Sequence, residues 1–135
     1  MSKSLIQTVN ESTQTVAENS IISLGSVNRR YGCNLRLSGN GIEVQGEGYY
    51  DIDATVTVSP TTVGNVTVSA YKNGVQIPSA TATGSTGAKG DIVTLPIVAT
   101  IRQGCGCCVG ADTLTFVLEA GAGTVSNISV RVEKS

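Results

Sequence analysis

The fold is decided by residues 48–58, which read GYYDIDATVTV. Apolar and polar side chains alternate along this stretch, with one side formed by Tyr50, Ile52, Ala54, Val56 and Val58. Successive side chains of a β-strand point to opposite faces, so the alternation predicts a strand with one buried face. A shift of the register by one residue would bury Asp51 and Asp53 instead. The register is therefore strongly specified.

Two pairs of similar segments flank Asn-Gly dipeptides, which favour hairpin turns because both residues accept positive φ. The first pair is 35–37 and 42–44 around the turn 38–41, and the second is 66–70 and 75–77 around Asn73-Gly74. Two such turns predict antiparallel pairing of neighbouring strands.

Apolar alternation also predicts strands at 91–101, 113–119 and 125–133, and no segment has a convincing helical period. The small, polar stretch 79–88 is expected to be a strand end that runs into an exposed loop. About eight to ten short strands joined by Gly, Asn, Pro and Ser turns predict an all-β sandwich or barrel.

The segment 91–101 is apolar on both faces. Its odd positions continue the core pattern, whereas Ile92, Pro96 and Val98 add apolar surface to the opposite face. A strand that is apolar on both faces needs cover on both, and in so small a domain this favours a partner subunit. Cover by a loop or by the N-terminal segment is the alternative.

Composition excludes several classes of function. The chain has 135 residues, the size of one domain, with 14% charged residues and a net charge of -1 at pH 7. Without a basic stripe, nucleic acid is not an expected partner. Residues 1–10 contain no apolar run long enough for a signal peptide or a membrane span. We therefore expect synthesis in the cytoplasm and no membrane partner.

Several motifs resemble one family of sandwiches. They are Gly48-Tyr49-Tyr50-Asp51-Ile52, the Asn73-Gly74 turn, Gly90-Asp91-Ile92-Val93-Thr94-Leu95, and 114–118 closing on 125–132. Their order resembles tumour-necrosis-factor and C1q-like jelly rolls, in particular the heads of bacterial spore-surface collagen-like proteins. The chain lacks the Gly-x-y stalk of those proteins. In this respect it also looks like the small virion decoration proteins of tailed bacteriophages and prophages.

The resemblance implies a two-sheet antiparallel jelly roll of ten strands that assembles as a homotrimer. It also implies a structural role, as a capsid decoration or fibre-tip component on the surface of a virion, with a capsid or other virion protein as partner. Residues 1–19 are then an N-terminal arm and candidate first strand, and residues 20–135 are the jelly-roll domain. The alternative function is a receptor- or glycan-binding adhesion module that uses exposed loops around 79–89 and 104–112.

The sequence does not favour an enzyme. It has no histidine, which removes the commonest general base and the commonest metal ligand, and we expect no cofactor. Asp51 and Asp53 lie two residues apart on one strand face, a spacing that hydrolase acids or calcium ligands also use. On an otherwise polar strand face, ordinary solvated carboxylates are the simpler interpretation.

Cysteine chemistry is confined to Cys33 and the run Cys105-Gly106-Cys107-Cys108. Structural Cys₄ zinc sites pair two Cys-x₂₋₄-Cys knuckles, and this crowded run with one distant partner does not, so no metal site is expected. Free thiols, disulfides within one subunit and intersubunit disulfides remain open.

A second candidate contact is Arg29-Arg30-Tyr31, which suits a carboxylate or an acidic glycan on a host surface. Ordinary loop surface or a salt bridge is the alternative interpretation for this cluster.

Overall fold

The computed structural model describes residues 4–32, 35–45, 48–61, 64–88, 91–103 and 112–134. These residues form twelve β-strands and, within those ranges, no helix. The strands are β1 (Leu5–Asn10), β2 (Gln14–Val16), β3 (Ser20–Ile21), β4 (Ser26–Tyr31), β5 (Leu35–Ser38), β6 (Gly41–Val44), β7 (Gly48–Pro60), β8 (Gly64–Lys72), β9 (Val75–Thr86), β10 (Val93–Gln103), β11 (Asp112–Ala120) and β12 (Gly123–Lys134).

The strands form two antiparallel sheets. Sheet A has the order β10-β7-β12-β1-β4, with β2 paired to β12, and sheet B has the order β5-β6-β11-β8-β9, with β3 paired to β11. This confirms the predicted two-sheet antiparallel jelly roll. The described strands exceed the ten that the resemblance implies by two, and the short strands β2 and β3 account for the excess.

The core lies between the sheets and is built from the inward-facing half of each long strand. All five predicted core residues of β7 are buried, and sheet B contributes Leu114, Phe116 and Leu118 of β11. Full burial of each large apolar side chain stabilises the fold by about 1.5–3 kcal/mol. The Tyr50 hydroxyl donates a hydrogen bond to the Gln45 carbonyl oxygen at 2.7 Å. Burial raises the pKa of Tyr50.

Both predicted hairpins are confirmed, but one turn differs in detail. Asn73 and Gly74 both have positive φ, 54° and 82°, as a type I′ turn requires. In the other hairpin the loop is Gly39-Asn40, and Gly41 lies in β6 paired with Ser38. A Cβ on Gly41 would stand 2.6 Å from Thr113 Cγ2. This glycine therefore serves close packing against β11, not the turn.

The strand end predicted at 79–88 is longer than expected, because β9 continues to Thr86 and only residues 87 and 88 of this stretch lie beyond the strand. Its small polar residues pair with β8, where the Thr83 and Thr67 hydroxyls lie 3.0 Å apart. Gly84 has a structural reason of its own, since a Cβ there would stand 2.5 Å from Val93 Cγ2 of β10. The glycine lets β9 and β10, the edge strands of the two sheets, approach each other along a seam.

The N-terminal segment enters sheet A directly. Strand β1 pairs with β12 on one side and with β4 on the other. The division of the chain at residues 19 and 20 stays a prediction.

Candidate assembly surface and ligand pocket

The three candidate interface residues lie together on the outer face of sheet A. Pro96 and Val98 point outward from β10, and Ile92 immediately precedes that strand. Ile92 is 66% exposed and Val98 is 71% exposed, whereas Leu95 and Ile97 between them are buried. The expected two-faced strand is therefore present, and its outer apolar half has no cover within the described residues.

The opposite edge of the same face is formed by β4, whose six residues are all exposed. Arg29 and Tyr31 share the outer face of sheet A because they pair with Gln7 and Leu5 of β1. Arg30 points to the other side, where its Nε donates a hydrogen bond to the Leu35 carbonyl oxygen at 2.8 Å. The structure thus brings two members of the predicted Arg-Arg-Tyr contact together and separates the third.

Charge is distributed unevenly across this face. Asp51 and Asp53 of β7 lie beside β10, and Asp53 stands opposite Val98. Arg131 of β12 follows, and Arg29 lies on β4 at the far edge. Around Val98 the outer face of sheet A is therefore acidic, Arg29 lies at the β4 edge, and exposed apolar or aromatic side chains lie at both edges.

A pocket of about 280 Å³ opens at one end of the seam between the two sheets. We call it the seam pocket; its lining residues are Lys72, Val75, Gln76, Ile77, Thr100, Ile101 and Arg102. Ile77 and Ile101 are buried and form an apolar floor. The Lys72 Nζ donates a hydrogen bond to the Arg102 carbonyl oxygen at 2.9 Å, so both cationic residues lie at the same rim.

The sequence alone does not reveal this pocket. Its residues come from the end of β8, the start of β9 and the end of β10, and only the folded sandwich brings them together. No local motif carries a signal for it. The nearest sequence clue is the Asn73-Gly74 turn, which places Lys72 and Val75 on adjacent strands.

The cysteine predictions concern Cys33, Cys105, Cys107 and Cys108, which lie outside the described residues. Their redox state and pairing stay open. Within the described part of the chain, no group of histidine, cysteine or acidic residues has the arrangement of a metal site. The described residues also contain no helix long and apolar enough to cross a membrane.

Comparison with known proteins shows relatives only at the level of structure. No family model matches the chain, and no curated protein matches its sequence. Solved structures of murine APRIL at pH 5.0 and of the globular domain of zebrafish complement 1qA protein are similar. The first has a TM-score of 0.73 at 14% identity, covering 98% of this chain and 99% of that chain. The second has a TM-score of 0.71 at 8% identity, covering 96% and 94%.

A third similar structure is the PRD1 vertex protein P5, with a TM-score of 0.61 at 13% identity, covering 97% of this chain and 96% of that chain. Likeness at such low identity establishes the fold alone. The chain therefore folds as a tumour-necrosis-factor and C1q-like jelly roll, as its strand motifs predict.

Proposed function

We infer that this chain is a non-enzymatic structural protein, a homotrimeric decoration or fibre-tip component of a bacteriophage or prophage particle. The observation that carries this proposal is the outer face of sheet A, where Ile92, Pro96 and Val98 are apolar and uncovered within the described residues. Exposed apolar patches on small soluble domains mark interaction surfaces. The likeness to a phage vertex protein supports the particle context.

The charge pattern supports contacts between unlike edges of neighbouring subunits. If β10 of one subunit packs on β1 and β4 of the next, Asp51 and Asp53 approach the neighbour's Arg29, and Val98 approaches the neighbour's Tyr31. Such a head-to-tail contact is heterologous and closes into a ring when the rotation between subunits allows it. Three subunits are the number that the family resemblance implies.

Substitution of Val98 by lysine tests this surface. In the separate subunit the lysine lies opposite Asp53, which keeps the strand compatible with the charge. In the assembly it would be buried in an apolar contact, which is costly for an ion without a partner. We expect Val98→Lys to change the mass in solution from about three chains to one, as measured by light scattering.

The matched control is Val75→Lys, because Val75 is 70% exposed, close to the 71% of Val98, but lies beside the hairpin of sheet B. It should leave the mass unchanged, and circular dichroism should show folded sheets in both variants. An unchanged mass for Val98→Lys would overturn the assignment of this face.

A receptor- or glycan-binding adhesion module of the same fold is the second candidate function. The seam pocket favours it, because two cationic residues border an apolar floor there. Residues 79–86 of the expected binding loop around 79–89 belong to strand β9. A binding role for that segment would therefore use strand residues.

A further inference from the structure

The seam pocket has a composition that selects ligand chemistry. Its floor is apolar, its rim carries Lys72 and Arg102, and none of its lining residues is acidic. Binding pockets of this kind combine apolar walls with a few polar groups that fix orientation. The two cations favour an anionic group, and carboxylate is the planar anion that arginine binds through two parallel hydrogen bonds.

Arg102 is positioned to make such bonds. It is exposed, and its guanidinium has no hydrogen-bond or ion-pair partner among the described residues. The Lys72 Nζ already donates to the Arg102 carbonyl oxygen, which holds the lysine at the same rim. On the outer face beside Arg102, Asp51 accepts a hydrogen bond from the Thr100 hydroxyl at 2.9 Å, and among the described residues no ion pair joins this carboxylate to Arg102.

An exposed aromatic ring lies beside Arg102, one of the residues at the pocket rim. Tyr49 of β7 stands directly opposite Arg102 in the strand register, and it is 56% exposed. Residues opposite each other in antiparallel strands have Cβ atoms about 4.5–5.5 Å apart. A large amphipathic ring therefore lies within reach of any ligand that Arg102 holds.

The size of the pocket limits the ligand to a small unit. About 280 Å³ is slightly below the range of roughly 300–1,000 Å³ that drug-sized ligands occupy. A single sugar ring that carries a carboxylate matches the apolar floor and the cationic rim, because its C–H face is apolar and its acid group is negatively charged. The aromatic ring of Tyr49 favours a sugar over an acidic peptide.

We propose that the seam pocket binds the carboxylate-bearing sugar unit of an acidic glycan, with Lys72 and Arg102 on the carboxylate and Tyr49 against the ring face. This site shares no residue with the apolar patch, because the pocket takes Thr100, Ile101 and Arg102 from β10 and the patch consists of Ile92, Pro96 and Val98. The proposal extends the second candidate function and does not depend on trimer formation.

Titration of the ¹⁵N-labelled full chain with sodium D-glucuronate tests the proposal. The amide NMR signals of Lys72, Ile101 and Arg102 should shift with glucuronate and should stay in place with D-glucose and with sodium acetate. Equal shifts with glucose would show that the carboxylate of the ligand does not contribute to binding. Equal shifts with acetate would show that the sugar ring does not contribute to binding. Either result overturns the proposal.

Variants sharpen the test. Arg102→Gln should weaken glucuronate binding about tenfold, the value of a lost charge-assisted hydrogen bond. Tyr49→Thr should also weaken it and retains strand propensity. Arg36→Gln is the control, since Arg36 is an exposed arginine on sheet B that pairs with Glu43. Unchanged binding in Arg102→Gln would contradict the proposed site.

Two further measurements distinguish an acidic sugar from an acidic peptide, and the pocket proposal from the assembly proposal. Shifts at the same amides with N-acetyl-Val-Glu amide but none with glucuronate would assign the pocket to an acidic peptide and overturn the sugar proposal. Light scattering on the same samples separates this inference from the assembly proposal. Loss of glucuronate binding at unchanged mass contradicts only the pocket, and a monomer that binds glucuronate contradicts only the trimer.

Discussion

The outer faces of the two sheets satisfy their side chains in different ways. On sheet B the side chains bond to one another: Ser69 to Thr81 at 2.9 Å, Gln76 to Thr81 at 2.7 Å and Tyr71 to Glu119 at 2.8 Å. On sheet A the large apolar side chains at both edges find no cover in the described part of the chain. The difference is one of degree, since Ile21 on the outer face of sheet B is 49% exposed, whereas Tyr31, Ile92 and Val98 of sheet A are 66–71% exposed. The face with the more exposed apolar side chains suits a neighbour.

If the two outer faces differ in this way, a charge on sheet A should disrupt assembly more than a charge on sheet B does. Tyr31→Lys places a cation on the outer face of β4, where we expect β10 of the neighbouring subunit to pack. We expect it to weaken the assembly by about 3 kcal/mol or more, because the cation loses water without gaining a partner. Sedimentation velocity at several concentrations measures the change.

The control for this variant is Thr83→Lys, which lies on the outer face of sheet B. It should sediment as the unmodified protein does. Dissociation of both variants would show that the outer face of sheet A is no more important for assembly than the outer face of sheet B.

A smaller effect tests the internal bonding of sheet B. Ser69 is fully buried, and its hydroxyl forms a hydrogen bond with the Thr81 hydroxyl. The Ser69 hydroxyl also accepts a hydrogen bond from the side-chain amide of Gln76 at 3.3 Å. Ser69→Ala should lower the free energy of unfolding by about 1 kcal/mol, because those partners lose a hydrogen bond. Urea denaturation measures the change. Ser85→Ala, on an exposed position of the same face, should stay within about 0.5 kcal/mol of the unmodified protein.

The smallest expected effect is a pH dependence. The carboxylate of Glu119 accepts the hydroxyl hydrogen bond of Tyr71 and raises the pKa of that tyrosine above its ordinary 10.0. The folded protein therefore holds this proton more tightly than the unfolded chain. The stabilisation is complete below pH 10.0 and is lost as the pH rises further.

Tyr71→Phe should flatten this fall in the free energy of unfolding above pH 10.0. It should not abolish the fall, since burial raises the pKa of Tyr50 as well. An unchanged slope in Tyr71→Phe would show that the bond to Glu119 does not contribute.

The long two-faced strands were predictable from sequence because burial imposes a strict period of two. In β7 each inward residue from Tyr50 to Val58 is buried, and the outward side carries Asp51 and Asp53. The outer half of β10 was predictable for the same reason. A run of small hydroxyl residues carries no such period, and the far half of β9 was missed because its partners are the hydroxyls of β8.

The candidate site was predictable only in part. Ile92, Pro96 and Val98 stand out within one strand, so the sequence alone marks them. Strand β4 has no buried residue and hence no pattern, although Arg29 and Tyr31 attract attention by residue type. The seam pocket depends on the meeting of three segments, and Lys72 and Arg102 are 30 residues apart in the chain.

The central claim is that the outer face of sheet A joins subunits without covalent bonds. The mass of the unmodified protein, measured by light scattering during size-exclusion chromatography with and without reductant, tests it most directly. The account predicts a trimer, about three times 13.8 kDa, in both conditions. A monomer in both conditions would contradict the claim. A trimer that is lost under reductant would contradict it too, because assembly would then depend on Cys33, Cys105, Cys107 or Cys108.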